Sequence, residues 1–200
     1  MQRFLLAFLL LGTCLHASTV PCTDIRKVDF RNLTFRTSPK LEQNELNGSD
    51  PDPITFRMRH GRAFSFDPPE NLRISHGVHE FVATIDSDQL MHPNNSTYVR
   101  ILQVENSHQT GSGNVRYVLG FTCLDRALTQ VFQFSGEGVS LAHFDDRSLS
   151  INEAIWADHD AHADPSLYRS LTYFWQHSTW RFTRGSVEGP FPKIQDSSGK

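Results

Sequence analysis

Residues 115–156 read VRYVLGFTCLDRALTQVFQFSGEGVSLAHFDDRSLSINEAIW. Residues 115–123 form an apolar run long enough for a buried central strand, and 128–134, 138–144 and 148–156 follow as short segments rich in β-branched and aromatic residues. Ser135-Gly136-Glu137 and Asp145-Asp146-Arg147 separate them with turn formers. Strands recurring about every 8–12 residues predict an all-β fold, a single antiparallel sandwich- or barrel-like domain. No stretch holds a sustained helical period, apart from one candidate turn at 152–157.

The same pattern extends in both directions. Upstream, residues 24–36 (DIRKVDFRNLTFR) alternate from Val28, with Val28, Phe30, Asn32 and Thr34 on one face and Leu33 and Phe35 on the other. That predicts a strand. Residues 37–53 are polar and read as an exposed loop. Ile54, Phe56 and Met58 alternate up to His60-Gly61, and Ala63, Phe64 and Phe66 return, which predicts a hairpin. Leu72, Ile74, Phe81, Val82 and Ile85 predict one or two further strands. Residues 86–96 then read as a loop, 98–104 as a strand and 106–114 as a glycine-bearing turn. Downstream, 168–183 predicts a hairpin turning near His177-Ser178. The polar stretch after Gly185, with Pro190 and Pro192, reads as a tail over 186–200.

The N-terminus carries an address. Arg3 precedes the wholly apolar run 4–11, and the small residues Ala17 and Ser18 follow. The run is shorter than the roughly 20 residues that span a bilayer, so residues 1–17 are expected to be a cleavable signal peptide. Acylation of Cys14 is the rival reading. Residues 18–185 then form the β-rich domain of a secreted or periplasmic protein, with no transmembrane segment in the mature chain. Removal of Cys14 leaves Cys22 and Cys123, and an oxidising compartment favours their pairing as the one intramolecular disulfide available.

Charge argues against nucleic acid as a partner. The chain carries 19 Lys+Arg against 22 Asp+Glu, both signs are interspersed, and there are only four lysines. The one local cluster with metal chemistry is 158–164, which holds two imidazoles and three carboxylates before Pro165. His159, His162 and Asp160 are the candidate ligands; imidazole suits zinc, copper or nickel, and carboxylate suits calcium or magnesium. The spacing fits no established metal motif, and a solvated acidic loop between strands is the reading preferred to it. No Gly-x-Ser-x-Gly elbow or phosphate loop occurs. The carboxylate pairs Asp86/Asp88 and Asp145-Asp146 would suit glycoside hydrolysis only if two acids were held a few ångströms apart. No catalytic residue and no cofactor is assigned, beyond a divalent metal at 158–164.

Aromatic residues crowd the C-terminal third: Trp156, Tyr168, Tyr173, Phe174, Trp175, Trp180 and Phe182. On an ideal strand Phe174 faces opposite to Tyr173 and Trp175, so one ring set enters a core and the other is covered or forms a strip for sugar or protein binding. Glycosylation-type triplets occur at Asn32, Asn47, Asn94 and Asn95.

The order Val28-Asp29-Phe30-Arg31-Asn32-Leu33-Thr34, Arg116-Tyr117-Val118-Leu119 and Gln130-Val131-Phe132-Gln133-Phe134, with Ser135-Gly136-Glu137-Gly138, resembles a group of uncharacterised secreted bacterial β-rich proteins of unknown function. The group often carries a cysteine pair before Pro-Ser and then Tyr-x-Trp. Here Ala163-Asp164 stand in place of the cysteines, and Tyr173-Phe174-Trp175 matches the second motif. The resemblance implies a periplasmic or extracellular β domain and supplies no activity. The expected function is that of a secreted, non-catalytic β domain that binds an envelope or extracellular protein or glycan. The alternative is a metal-binding protein or metal-dependent enzyme using the 158–164 cluster.

Overall fold

The computed structural model describes residues 20–41, 53–64, 81–94, 96–108, 115–160, 165–176 and 181–192. The expected signal peptide, the strand expected around Leu72 and Ile74, and His162 lie outside the described residues. The strands are β1 (Thr34–Arg36), β2 (Thr55–Arg57), β3 (Arg62–Phe64), β4 (Phe81–Asn94), β5 (Thr97–His108), β6 (Val115–Leu124), β7 (Ala127–Glu137), β8 (Ser140–Phe144), β9 (Ser148–Ile155), β10 (Leu167–Gln176) and β11 (Arg181–Pro192). They form a β1-β2 pair, a five-stranded sheet in the order β3-β4-β5-β6-β7 and a four-stranded sheet in the order β11-β10-β9-β8. The sheets are antiparallel, pack on one another and do not close, so the fold is all-β and sandwich-like rather than a barrel. Among the described residues no helix is long and apolar enough to cross a membrane.

The five-stranded sheet is covered on both faces, which explains the unbroken apolar run at 115–123. Leu102 and Val104 of β5, with Tyr117, Leu119 and Phe121 of β6, pack against Phe30, Phe35 and Phe56 of the N-terminal layer. Ring centroids there lie 5.0 Å apart for Phe30–Phe121 and 5.4 Å apart for Phe35–Phe56. Val99, Ile101 and Val118 point the other way and meet Phe132, Phe134, Leu149, Ile151, Leu171 and Tyr173. Among the described residues the four-stranded sheet packs its inner face on the second of these cores.

Close packing fixes one glycine. Gly120 of β6 pairs with Phe132 of β7, and the Phe132 ring occupies the space where a Cβ on residue 120 would sit. Gly120→Ala is expected to cost about 1–3 kcal/mol through overpacking. A lower urea midpoint at unchanged slope would show it. An unchanged midpoint would mean that the ring swings aside.

Several expectations change, among them the turn read at 106–114, whose first three residues are the end of β5. The strand predicted over 28–36 shortens to Thr34–Arg36, because 3-10 turns occupy Ile25–Lys27 and Phe30–Asn32. Asp24 and Asp29 drive them by accepting the N–H groups of Arg26 and Arg31, a local bond that outcompetes the strand ladder. The predicted turn at His60-Gly61 is present, with φ of 52° and 80°, as hairpin turns with both central residues left-handed require. Its arms diverge, however: β2 pairs with β1 and β3 pairs with β4, leaving only the Arg59–Arg62 bridge between them. The loop read at 86–96 is, through Asn94, the second half of β4, in which register shifts after Ile85 and Met91 break the alternation. The tail read from 186 is still strand as far as Pro192. Ser170 pairs with Glu188 and Leu167 with Pro192, and β11 is an edge strand, where proline is tolerated.

Candidate functional site

The cysteines read from the sequence do meet. Cys22 and Cys123 are joined across 101 residues with Cα atoms 5.3 Å apart. Cys22 is buried, its N–H donates to the Arg126 carbonyl at 2.9 Å, and the Leu128 N–H donates to Val20 at 2.8 Å. The bridge thus pins the start of the N-terminal layer to the β6–β7 turn. Beside it opens a cleft of about 280 Å³ lined by Thr23, Asp24, Arg26, Thr97, Tyr98 and Thr122 among others. The Tyr98 ring there is already engaged. His92 stacks on it at 4.3 Å, and the Arg26 guanidinium lies 4.7 Å from its centroid while held by Asp24 at 2.8 Å. The cleft therefore offers hydroxyls but no open ring face.

The acidic loop after β9 has a local structural role. Asp160 Oδ2 accepts the Ala157 N–H and the Ser166 N–H, each at 2.7 Å, and the Ser166 hydroxyl at 3.0 Å. The Ser166 and Ala157 donors hold the Asp160 carboxyl below the usual carboxylate range. The oxygen read as a third metal ligand is thus engaged in closing its own loop. His159 is exposed, His162 lies outside the described residues, and no group of three His, Cys, Asp or Glu side chains converges among the described residues. Asp145 does similar work, accepting the Arg147 and Ser148 N–H groups at 2.7 Å each.

Asp86 and Asp88 do not act as a pair. The register shift between Ile85 and Ser87 sends them to different partners. Asp88 is bound by Arg100 through Nε and Nη2, and Arg100 Nη1 also donates to the Arg26 carbonyl at 3.3 Å, tying β5 to the first 3-10 turn. Asp86 lies beside Glu105, which is paired to Arg116 at 3.4 Å. Loss of solvent around the carboxyl pushes Asp86 up, and the Glu105 carboxylate adds to the shift. A raised carboxyl favours the fold below its unfolded value, and that contribution is lost as pH rises through the folded value. Asp86→Asn is therefore expected to be more stable than the wild type near pH 7 and equal to it near about pH 3. Parallel urea curves at the two pH values check this, and a variant less stable at neutral pH would contradict it.

The outer face of the four-stranded sheet is different in kind. Leu149, Ile151, Leu171 and Tyr173 point inward, so alternation turns Ser148, Ser150 and Asn152 of β9 and Ser170, Thr172 and Phe174 of β10 outward. Ser150 and Thr172 hydroxyls lie 3.3 Å apart across the pair. Phe174 is 48% exposed, and its ring lies over Gly185 of β11, where a Cβ would collide with it. The ring therefore lies against the β11 backbone at Gly185 and leaves the rest of its surface to solvent. At the far end of β10, Tyr168 packs on Phe191 of β11 at 5.5 Å, and Trp156, 39% exposed, follows β9 at that same end. Tyr168 and Phe191 meet only through cross-strand register, whereas the aromatic crowding and the outward turn of Phe174 follow from the sequence. In the sequence Gly185 reads only as the end of the domain; a glycine inside a strand is the signal that could have pointed to this close approach.

Compared with protein-family models, curated proteins and solved structures, the chain matches none.

Proposed function

We propose that this is a secreted, non-catalytic binding domain whose contact surface is the outer face of the four-stranded sheet. The observation that carries the reading is Phe174, a large ring turned away from the core on a strand whose neighbours Tyr173 and Leu171 are buried. An aromatic surface of this kind desolvates cheaply and anchors a partner. The N-terminal address and the Cys22–Cys123 bridge support a site of action outside the cytosol. In each carboxylate pair that sequence proximity offered for catalysis one member is engaged, Asp88 by Arg100 and Asp145 in a turn, which favours binding over hydrolysis.

The test is a photo-cross-linkable residue placed at Thr172 in the exported protein, with the same residue at Lys27 as control. Adducts from position 172 alone are the expected outcome. Adducts from position 27 alone would move the contact surface to the N-terminal layer and overturn the reading.

A further inference from the structure

The outer sheet face has a chemistry of its own, and resting on the binding reading above, we infer that it takes a neutral glycan chain laid along β10. β9 and β10 place no charged side chain outward between Ser148 and Gln176 among the described residues. They present the hydroxyls of Ser148, Ser150, Ser170 and Thr172 and the amide of Asn152. Hydroxyl and amide groups both donate and accept, which is what a polyol requires of its partner. β11 adds one acidic position at the edge, Glu188, in register with Ser170. A carboxylate there accepts sugar hydroxyls and disfavours an acidic polymer.

Apolar platforms stand at both ends of this polar strip. Phe174 lies against Gly185 and stays 48% exposed, a ring surface of the kind that stacks on the C–H face of a pyranose. Tyr168 and Phe191 form the other platform with Trp156 beyond. Six residues of strand separate Tyr168 from Phe174, which is about 20 Å and longer than a single sugar ring. The spacing therefore fits an extended oligosaccharide with its ends on rings and its middle over hydroxyls. A protein partner would be expected to meet a more continuous apolar centre, since interface cores concentrate aromatics and exclude water there. Here the centre is polar and the rings are at the margins.

The experiment is native gel electrophoresis of the exported protein through gels holding neutral polysaccharides (β-glucan, xylan, galactomannan) or acidic ones (polygalacturonate, heparin). Retardation by at least one neutral polymer is expected. Phe174→Ala should weaken it about tenfold, whereas Phe174→Trp, which keeps a flat ring, should retain it. Because Phe174→Ala uncovers Gly185, Ser150→Ala provides a second probe that leaves the ring in place and removes a hydroxyl from the strip; it too should weaken retardation. Thermal midpoints of each variant separate lost folding from lost binding. No retardation by any neutral polymer, retardation by acidic polymers alone, or retardation untouched by Phe174→Ala and Ser150→Ala would overturn the glycan assignment. If position 172 instead cross-links a protein, and Phe174→Ala abolishes the adduct, the glycan assignment falls and the binding face stands. Adducts insensitive to Phe174 would sink both.

Discussion

Replacing Cys22 and Cys123 together by alanine is expected to lower stability by about 4.7 kcal/mol, the loop entropy of a bridge spanning about 100 residues in the chain-entropy model. The bond closes 101 residues, which include the N-terminal layer, β1 to β5 and most of β6. Without it, residues 20–22 are held to the β6–β7 turn by a few backbone hydrogen bonds and the isolated bridge of Pro21 to Ala127. Alanine suits the test because Cys22 is 3% exposed, and a serine hydroxyl there would add a desolvation cost of its own. For a domain of this size the loss corresponds to a thermal midpoint lower by about 10–19 °C. A drop of that order, reproduced by reducing the wild type, is the expected result. A drop below about 2 °C would mean that the N-terminal layer contributes its packing without the tether, or that the unfolded chain keeps those segments together. The magnitude also matters for where the protein works: a domain with total stability of about 5–15 kcal/mol gives up a large share of it when folded under reducing conditions.

Sequence patterning revealed elements where burial was simple and failed where local bonds or edges intervened. The 115–123 run was legible because β6 is covered on both faces, so every position from Tyr117 to Thr122 is buried and no alternation is needed. The segment 28–36 misled because its period-two pattern is genuine while Asp24 and Asp29 impose turns through side-chain bonds. The polar stretch after Ile85 hid a strand because the register shift at Asp86 resets which positions face the core, and Met91 is then the next fully buried side chain on β4. Prolines at 190 and 192 suggested a tail, yet an edge strand can spare those N–H groups. The candidate surface was half legible. That Tyr173 and Phe174 diverge follows from strand geometry, and Tyr173 at 2% and Phe174 at 48% exposure agree with it. Which rings stand together depends on register between β10 and β11, where two irregularities make Tyr168 meet Phe191 and Phe174 cover Gly185. No single-sequence pattern encodes that offset.

Arg169→Met is expected to cost about 3–5 kcal/mol, because it takes a paired cation away from a buried carboxylate. Glu153 of β9 lies directly opposite Arg169 of β10, on the inner face that also carries Ile151 and Leu171. Glu153 is 1% exposed, and Arg169 reaches Oε2 from Nε at 3.0 Å and from Nη2 at 2.9 Å. A surface pair would contribute under about 1 kcal/mol, so the measured value decides whether this end of the sandwich is dry. The double variant Glu153→Leu with Arg169→Met removes both charges and should recover most of the loss, since well-packed apolar groups commonly replace a buried pair without penalty. A four-member cycle of urea unfolding energies gives the coupling. Coupling below about 1 kcal/mol would mean that water reaches the pair. The pair bears on function through its position: Arg169 lies between Tyr168 and Ser170, both on the outer face. Anchoring Arg169 to β9 fixes the backbone that aims those two side chains outward. A loosened β10 should therefore weaken capture at the aromatic end while leaving the Phe174 end, five residues away along the strand, less affected.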